Sequence, residues 1–142
     1  MNPTIEKFGF PATLIKEFRH WVVLLRPAQV TLGSLILAAK SDFTAYGELA
    51  AEEFVEQGEA VTAIERALAE FSEYKRINYL MLMMVDRNVH FHVIPRYDGK
   101  RSWNGMEFPD AGWPGPPDLA SAVTLSDEEI QRTAESISHN FD

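Results

Sequence analysis

The sequence predicts an α+β fold: one antiparallel sheet of about five strands, a long helix packed on it, and a second helix near the C-terminus. Three observations carry that expectation. Asn88-Val89-His90-Phe91-His92-Val93-Ile94 alternates polar and apolar side chains with a period of two, the signature of a half-buried strand. Phe54, Gly58, Val61, Ile64, Leu68 and Phe71 recur at three- and four-residue steps, the spacing of an amphipathic helix. Short apolar runs before and between these segments are bounded by turn residues, as strands are.

Taken in order, Leu14 to Leu25 predicts a hairpin of two extended runs, Leu14–Phe18 and Trp21–Leu25, with Arg19-His20 between them. Arg26-Pro27 ends the second run, because proline cannot donate to a ladder and restricts its predecessor. Thr31-Leu32-Gly33-Ser34 is a turn into a third apolar strand, Leu35–Ala39. The amphipathic helix follows, with Glu52, Glu53, Glu56, Glu59, Glu65 and Glu70 on or near its wet side. Tyr79–Val85 predicts a central strand covered on both faces, its methionines filling core gaps. Asp86-Arg87 then makes a tight hairpin into the histidine strand. Arg96 to Leu119 is rich in Gly, Pro and Trp, with Asp98-Gly99, Asn104-Gly105 and Trp113-Pro114-Gly115-Pro116-Pro117, and is an irregular excursion. Ser126-Asp127-Glu128-Glu129 matches a capping box that opens the final helix through Ile130, Ala134 and Ile137.

The 142 residues suit one domain, with a core over about 8–100 and the irregular segment and helix over 101–142. With no cysteine, disulfides and thiolate metal sites are excluded. No basic segment leads into a long apolar run, and no apolar run is long enough to span a bilayer, so the expectation is a cytoplasmic protein without membrane contact. The formal net charge of −8 argues against a polynucleotide partner, whose phosphates would call for a basic surface. Small anionic ligands remain compatible with it. Arg87, Arg96, Lys100 and Arg101 flank the histidine strand, either as solvated charges or as local anion contacts.

On a strand, residues two apart share a face, so Asn88, His90 and His92 line up together. Two of the four histidines of the chain stand there. His20, at a predicted turn, and His139, near the end, are expected at the surface. The row admits three readings. It is a polar face turned to water, or a metal site completed by Asp86 or Asp98, or a centre for nucleophilic catalysis, to which imidazole is suited near neutral pH.

His90-Phe91-His92-Val93-Ile94-Pro95-Arg96 resembles the histidine triad (HIT) family. That family carries a His-φ-His-φ-His-φ-φ strand, with φ apolar, often followed by Pro-Arg. The order of elements agrees as well, so the resemblance spans roughly Leu14 to Tyr97. It implies a nucleotide-binding α+β domain that is commonly a homodimer with joined sheets. It also implies hydrolysis or transfer of nucleoside monophosphate groups from dinucleoside polyphosphates, phosphoramidates or related compounds. The middle histidine attacks the α-phosphorus and forms a covalent nucleotidyl-histidine, with no metal or cofactor in that step. On this chain the resemblance makes His90 the nucleophile. Its second nitrogen would be held by the backbone carbonyl of His92, and the His92 side chain would contact the phosphate. Arg96 is a further candidate donor to phosphate. The base and ribose would sit near Val22, Leu24, Arg26, Gln29 and Gly33, with Asn78 approaching the phosphates.

Two departures set the chain apart. Asn88 stands at the first triad position, where it can donate and accept hydrogen bonds but cannot carry a proton near pH 7. Many HIT hydrolases have Gly-Gln-Ser/Thr-Val before the triad, whereas Met84-Val85-Asp86-Arg87 occupies that place here. The resemblance therefore leaves two functions open: a hydrolase or nucleotidyl transferase using His90, and a nucleotide-binding or regulatory module with weak catalysis.

Overall fold

Five of the apolar runs assemble into one sheet in the computed structural model, which describes residues 1–141. The strands are β1 (Leu14–Glu17), β2 (Trp21–Leu25), β4 (Leu35–Ala39), β5 (Arg76–Leu80) and β6 (His90–Arg96). They lie in the order β1-β2-β4-β6-β5, every neighbouring pair antiparallel. Two short pairs sit outside the sheet. β3 (Ala28–Gln29) pairs with β9 (Val123–Thr124), and β7 (Arg101–Trp103) pairs with β8 (Met106–Phe108) around Asn104-Gly105. The α+β architecture with its five-stranded antiparallel sheet, long helix and C-terminal helix is thus as the sequence predicts.

The long helix, α2 (Ala51–Ser72), and the C-terminal helix, α3 (Asp127–Ser138), cover one face of the sheet. Trp21, Val23, Leu25, Leu35, Leu37 and Val93 point into that layer and meet Ile64 and Leu68 of α2 and Ile137 of α3. The buried residues of α2 are Glu53, Ala60, Ile64, Ala67 and Leu68, so Glu53 is not on the wet side as expected, while Phe54 and Gly58 face outward. The apolar period marks the helix correctly but places its wet side a little off. Ser126 caps α3 by accepting from the Glu129 amide at 3.2 Å, and the Glu129 carboxylate accepts from the Ser126 amide at 2.8 Å. Gly33 (φ +90°) lets the turn before β4 press against Leu68 and Pro95, where an added Cβ would stand 3.2 Å and 3.4 Å from side-chain carbons.

The other face belongs to a helix that the sequence reading missed, α1 (Pro3–Lys7). Asn2 caps it through a bond accepted from the Ile5 amide, and proline stands at its first position. The Asn2 amide also donates to the Ala39 and Ser41 carbonyls, both at 2.9 Å, which ties α1 to the end of β4. Ile5 then closes a small second core with Val22, Leu24, Ile36 and Ala38.

The run after Asn78 departs from expectation. β5 is the edge strand, not a central one, and it ends at Leu80. Met83 takes a left-handed conformation (φ +49°), and Leu82, Met84 and Val85 are exposed. Tyr79, Met81 and Met83 pack against the core. The tight hairpin through Asp86-Arg87 does not form because residues 88 and 89 are engaged on the other side. The Val89 amide donates to Phe43, its carbonyl accepts from Ala39, and Asn88 bonds to Thr4 of α1. An unbroken apolar run does not reveal whether its strand is central or at an edge.

Candidate active site

β6 supplies the centre of the site. His90 and His92 share the face that α1 covers, with ring centroids 5.2 Å apart and the rings edge-on. Phe8, just beyond α1, lies against both rings, at 5.6 Å from His90 and 5.8 Å from His92. His90 is 1% exposed and His92 8%.

Backbone geometry decides the state of His90. Its Nδ1 lies 2.7 Å from the Asn88 carbonyl oxygen. A carbonyl only accepts, so Nδ1 carries the proton and Nε2 of the neutral ring keeps a free electron pair. The acceptor is therefore Asn88, not His92 as expected from the resemblance. The reason is the extent of the ladders. The β4 ladder begins at His90, which leaves the Asn88 carbonyl outside it, whereas His92 pairs with Ile36 on one side and Leu80 on the other.

His92 is held in the opposite tautomer. Its Nδ1 accepts from Arg26 Nε at 3.4 Å, which leaves the proton on Nε2, pointing away from the guanidinium. Burial, the Arg26 charge and the neighbouring His90 push the His92 ring down to about 4, against a smaller upward pull from Asp86. The ring is therefore neutral at pH 7 and offers one N–H. Arg26 itself is fixed by donating to the Ala28 carbonyl at 2.5 Å, and burial lowers its pKa without discharging it. An electron pair on His90, an N–H on His92 and a guanidinium on Arg26 are the groups needed to attack a phosphorus centre and hold its oxygens.

The pH dependence of stability follows from the His92 shift. The folded ring binds its proton less readily than the unfolded chain, whose value is the ordinary 6.5. The stability linked to this ring is complete above pH 6.5 and drains away as the pH falls towards 4, by about 2 kcal/mol allowing for residual solvent contact. Urea titrations from pH 7.5 to 4.5 on the native chain and on His92→Gln should differ in slope against pH. Parallel profiles would mean that another group is responsible.

Four other expected site residues have structural duties instead. Val22 and Leu24 are fully buried beneath Ile5, so they present no surface to a base. Gln29 is buried, and its amide is committed to the turn between β2 and β4. Nε2 donates to the Arg26 and Ser34 carbonyls at 2.7 and 2.8 Å, and Oε1 accepts from the Gly33 amide at 2.8 Å. Its contribution is to shape the backbone that carries Arg26. Arg96 is likewise withdrawn. Nε and Nη2 grip the Asp110 carboxylate at 2.8 and 2.9 Å, and Nη1 donates to Asn78 Oδ1 at 2.8 Å. A guanidinium in the interior needs such a counter-charge, and a partner already bound bidentately leaves little for phosphate. Burial pushes the Asp110 carboxyl up, but Arg96 and the Tyr97 and Gly112 backbones outweigh it and hold the carboxyl below its ordinary value.

The Arg96–Asp110 pair anchors the Trp- and Pro-rich excursion over the far ends of β5 and β6. A cavity of about 510 Å³ lies there, lined by Arg76, Asn78, Arg96 and Trp113–Pro116. Of the remaining flanking cations, Lys100 pairs with Glu107 at 3.1 Å, and Arg101 stacks on Tyr97 at 4.7 Å. Only Arg87 stays near the histidine end. It lines a second cavity of about 390 Å³ with Pro3, Thr4, Lys7, Val85, Asp86 and Asn88. Lys7 pairs there with Asp86 at 2.9 Å, so Asp86 is not aimed at the imidazoles as a third metal ligand. Among the described residues no group of three or more His, Asp or Glu side chains converges on a metal position.

No match was found among protein-family models or among curated proteins. Solved structures do match, over essentially the whole chain. A histidine triad protein from Bradyrhizobium japonicum superposes with a TM-score of 0.76 at 16% identity, covering 100% of this chain and 97% of that one. A histidine triad (HIT) protein from Sinorhizobium meliloti 1021 gives 0.76 at 22% identity, covering 99% and 95%. The diadenosine triphosphate hydrolase of Plasmodium falciparum gives 0.66 at 12% identity, covering 96% and 92%. The fold of this chain is the histidine triad fold.

Proposed function

We propose that this chain is a nucleotide-binding hydrolase or nucleotidyl transferase acting at the α-phosphorus of a nucleoside phosphoramidate, a dinucleoside polyphosphate or a related conjugate. The observation that carries the reading is the bond from His90 Nδ1–H to the Asn88 carbonyl, which leaves Nε2 as the nitrogen able to attack, with the His92 ring 5.2 Å away. The diadenosine triphosphate hydrolase among the structures of like fold adds a precedent for such substrates.

In the first step the His90 Nε2 pair forms a bond to phosphorus as the bond to the leaving group breaks. The leaving group departs with the electron pair of that bond and takes up a proton from solvent. The ring becomes cationic, and its Nδ1–H stays on the Asn88 carbonyl, which stabilises that charge. His92 Nε2–H and Arg26 face the oxygens that gain negative charge. In the second step water attacks the same phosphorus and gives up a proton to solvent, the N–P bond breaks, and His90 recovers its pair as a nucleoside monophosphate leaves.

The assembly read with this activity is a homodimer. Support for it is the open edge of β5 and the exposed Leu82, Met84 and Val85 that follow, a combination that solitary sheets usually protect. A second functional reading, a nucleotide-binding module with weak turnover, is favoured by the depth of His90 beneath Phe8.

One experiment separates the two. Purified protein is mixed with a fluorogenic adenosine phosphoramidate or a diadenosine polyphosphate, with and without chelator, and quenched in acid-free denaturant for intact-mass analysis. The expected result is turnover that survives chelation and a protein heavier by one nucleoside monophosphate. Tight nucleotide binding with neither turnover nor adduct would establish the module and dismiss the enzyme.

A further inference from the structure

We propose that Asn88 is a positioning residue: it fixes the peptide carbonyl that holds His90 in its attacking tautomer, and it ties that hold to α1. The proposal rests on the nucleophilic reading of His90 and concerns how its state is set. Four hydrogen bonds, three of them to Thr4, converge on residue 88. Its side-chain Oδ1 accepts from the Thr4 hydroxyl at 3.0 Å and from the Thr4 amide at 3.4 Å. Its side-chain Nδ2 donates to the Asp42 carbonyl at 3.0 Å. Its own backbone N–H donates back to the Thr4 hydroxyl at 3.2 Å.

The carbonyl of Asn88 and the N–H of Val89 belong to one planar peptide unit. Val89 N–H donates to the Phe43 carbonyl at 3.2 Å, while the carbonyl on the other side of that plane receives His90 Nδ1–H at 2.7 Å. With the plane pinned at Val89 and the side chain pinned at Thr4 and Asp42, the carbonyl has one direction, and the imidazole follows it. The side chain at this position needs a donor for Asp42 and an acceptor for Thr4 at once. An amide has both without titrating. This accounts for an uncharged residue in the row: Asn88 works through its backbone on His90 and through its side chain on the helix that carries Phe8 over the site.

The test uses the full-length chain and reads the ring as well as the reaction. Long-range ¹H–¹⁵N spectra report which His90 nitrogen carries the proton, and steady-state kinetics use the adenosine phosphoramidate. Native protein should show protonated Nδ1 and free Nε2. Asn88→Ala and Thr4→Val should each move His90 towards the Nε2-protonated form and lower kcat about tenfold, with KM changed less than about twofold. Thr4→Ser, which keeps the hydroxyl, should restore both readouts. The double variant Thr4→Val/Asn88→Ala should be no worse than the poorer single one, since both break one network. If Asn88→Ala fails to fold, the Thr4→Val and Thr4→Ser pair carries the test alone.

An unchanged tautomer in the folded variants overturns the proposal, whatever happens to kcat. A shifted tautomer with undiminished kcat overturns it as well. Should the native protein turn over no nucleotide compound, the tautomer shift alone decides whether Asn88 sets the state of His90, and it is the enzymatic reading that fails.

Discussion

His90→Asn lowers turnover of an adenosine phosphoramidate by at least about a thousandfold, because no other side chain at the site offers a nitrogen with a free pair. Asparagine is the informative replacement, since it fills much of the volume of a ring that is 1% exposed, whereas alanine also opens a cavity. The nucleotidyl adduct disappears in the same variant. Residual activity above about a tenth of native would remove His90 from the nucleophile's role and leave nucleotide binding as the function of the fold. His92 cannot substitute for it: its Nδ1 faces Arg26, and its other nitrogen is protonated.

Asp110→Ala destabilises the protein by about 3–5 kcal/mol, the largest effect on stability expected from a single substitution outside the core. The reason is the charge left behind. Arg96 is buried, and Asp110 contributes both its oxygens at 2.8 and 2.9 Å. With the carboxylate gone, the guanidinium keeps only Asn78 in an interior position. The measurement is a shift in urea midpoint at constant m-value. Replacing both partners, as Arg96→Met/Asp110→Leu, should recover most of the loss, because the cost arises from an unpaired charge more than from the absence of a bond. A loss below about 1 kcal/mol in Asp110→Ala would show that Arg96 finds water, and would return it to candidacy as a phosphate contact.

Much of the fold was legible because it rests on local periodicity. Residues 90–94 of the alternating run fall in β6, the three- and four-residue steps became α2, and Ser126-Asp127-Glu128-Glu129 became the cap of α3. What escaped depends on contacts between distant parts of the chain. Asn78 and Arg96 look like ligand contacts until Asp110, in an irregular segment, is seen to grip Arg96, which also donates to Asn78. Gln29 looks equally available, yet every polar atom of its amide is used within four or five residues of it. α1 has only five residues, too few for a hydrophobic period, and its sole local signal was Asn2 followed by Pro3. Missing it meant missing Phe8, and with it the reason why Val22 and Leu24 form a floor and not a pocket.

The site was legible in its principal residues and not in their wiring. His90 and His92 follow from the strand's period of two, and the structure brings their rings together. Which carbonyl holds His90, and that Arg26 holds His92, depend on where the ladders stop and on how a buried turn folds. No spacing rule expresses either.

Arg26 gives the proposed chemistry an unusual response to salt. The molecule carries a formal charge of −8, so a nucleotide approaches against a repulsive field at long range. Once inside, the ligand would meet the neutral His92 ring and one sheltered cation. Dissolved ions shorten the reach of the outer repulsion to about 10 Å at 0.1 M but scarcely weaken an attraction between groups already out of water. Moderate ionic strength should therefore quicken the encounter without loosening the bound state, the reverse of what a basic surface patch produces. On the proposed function, a chain with this charge balance would capture its anion by depth, not by drawing it in from afar.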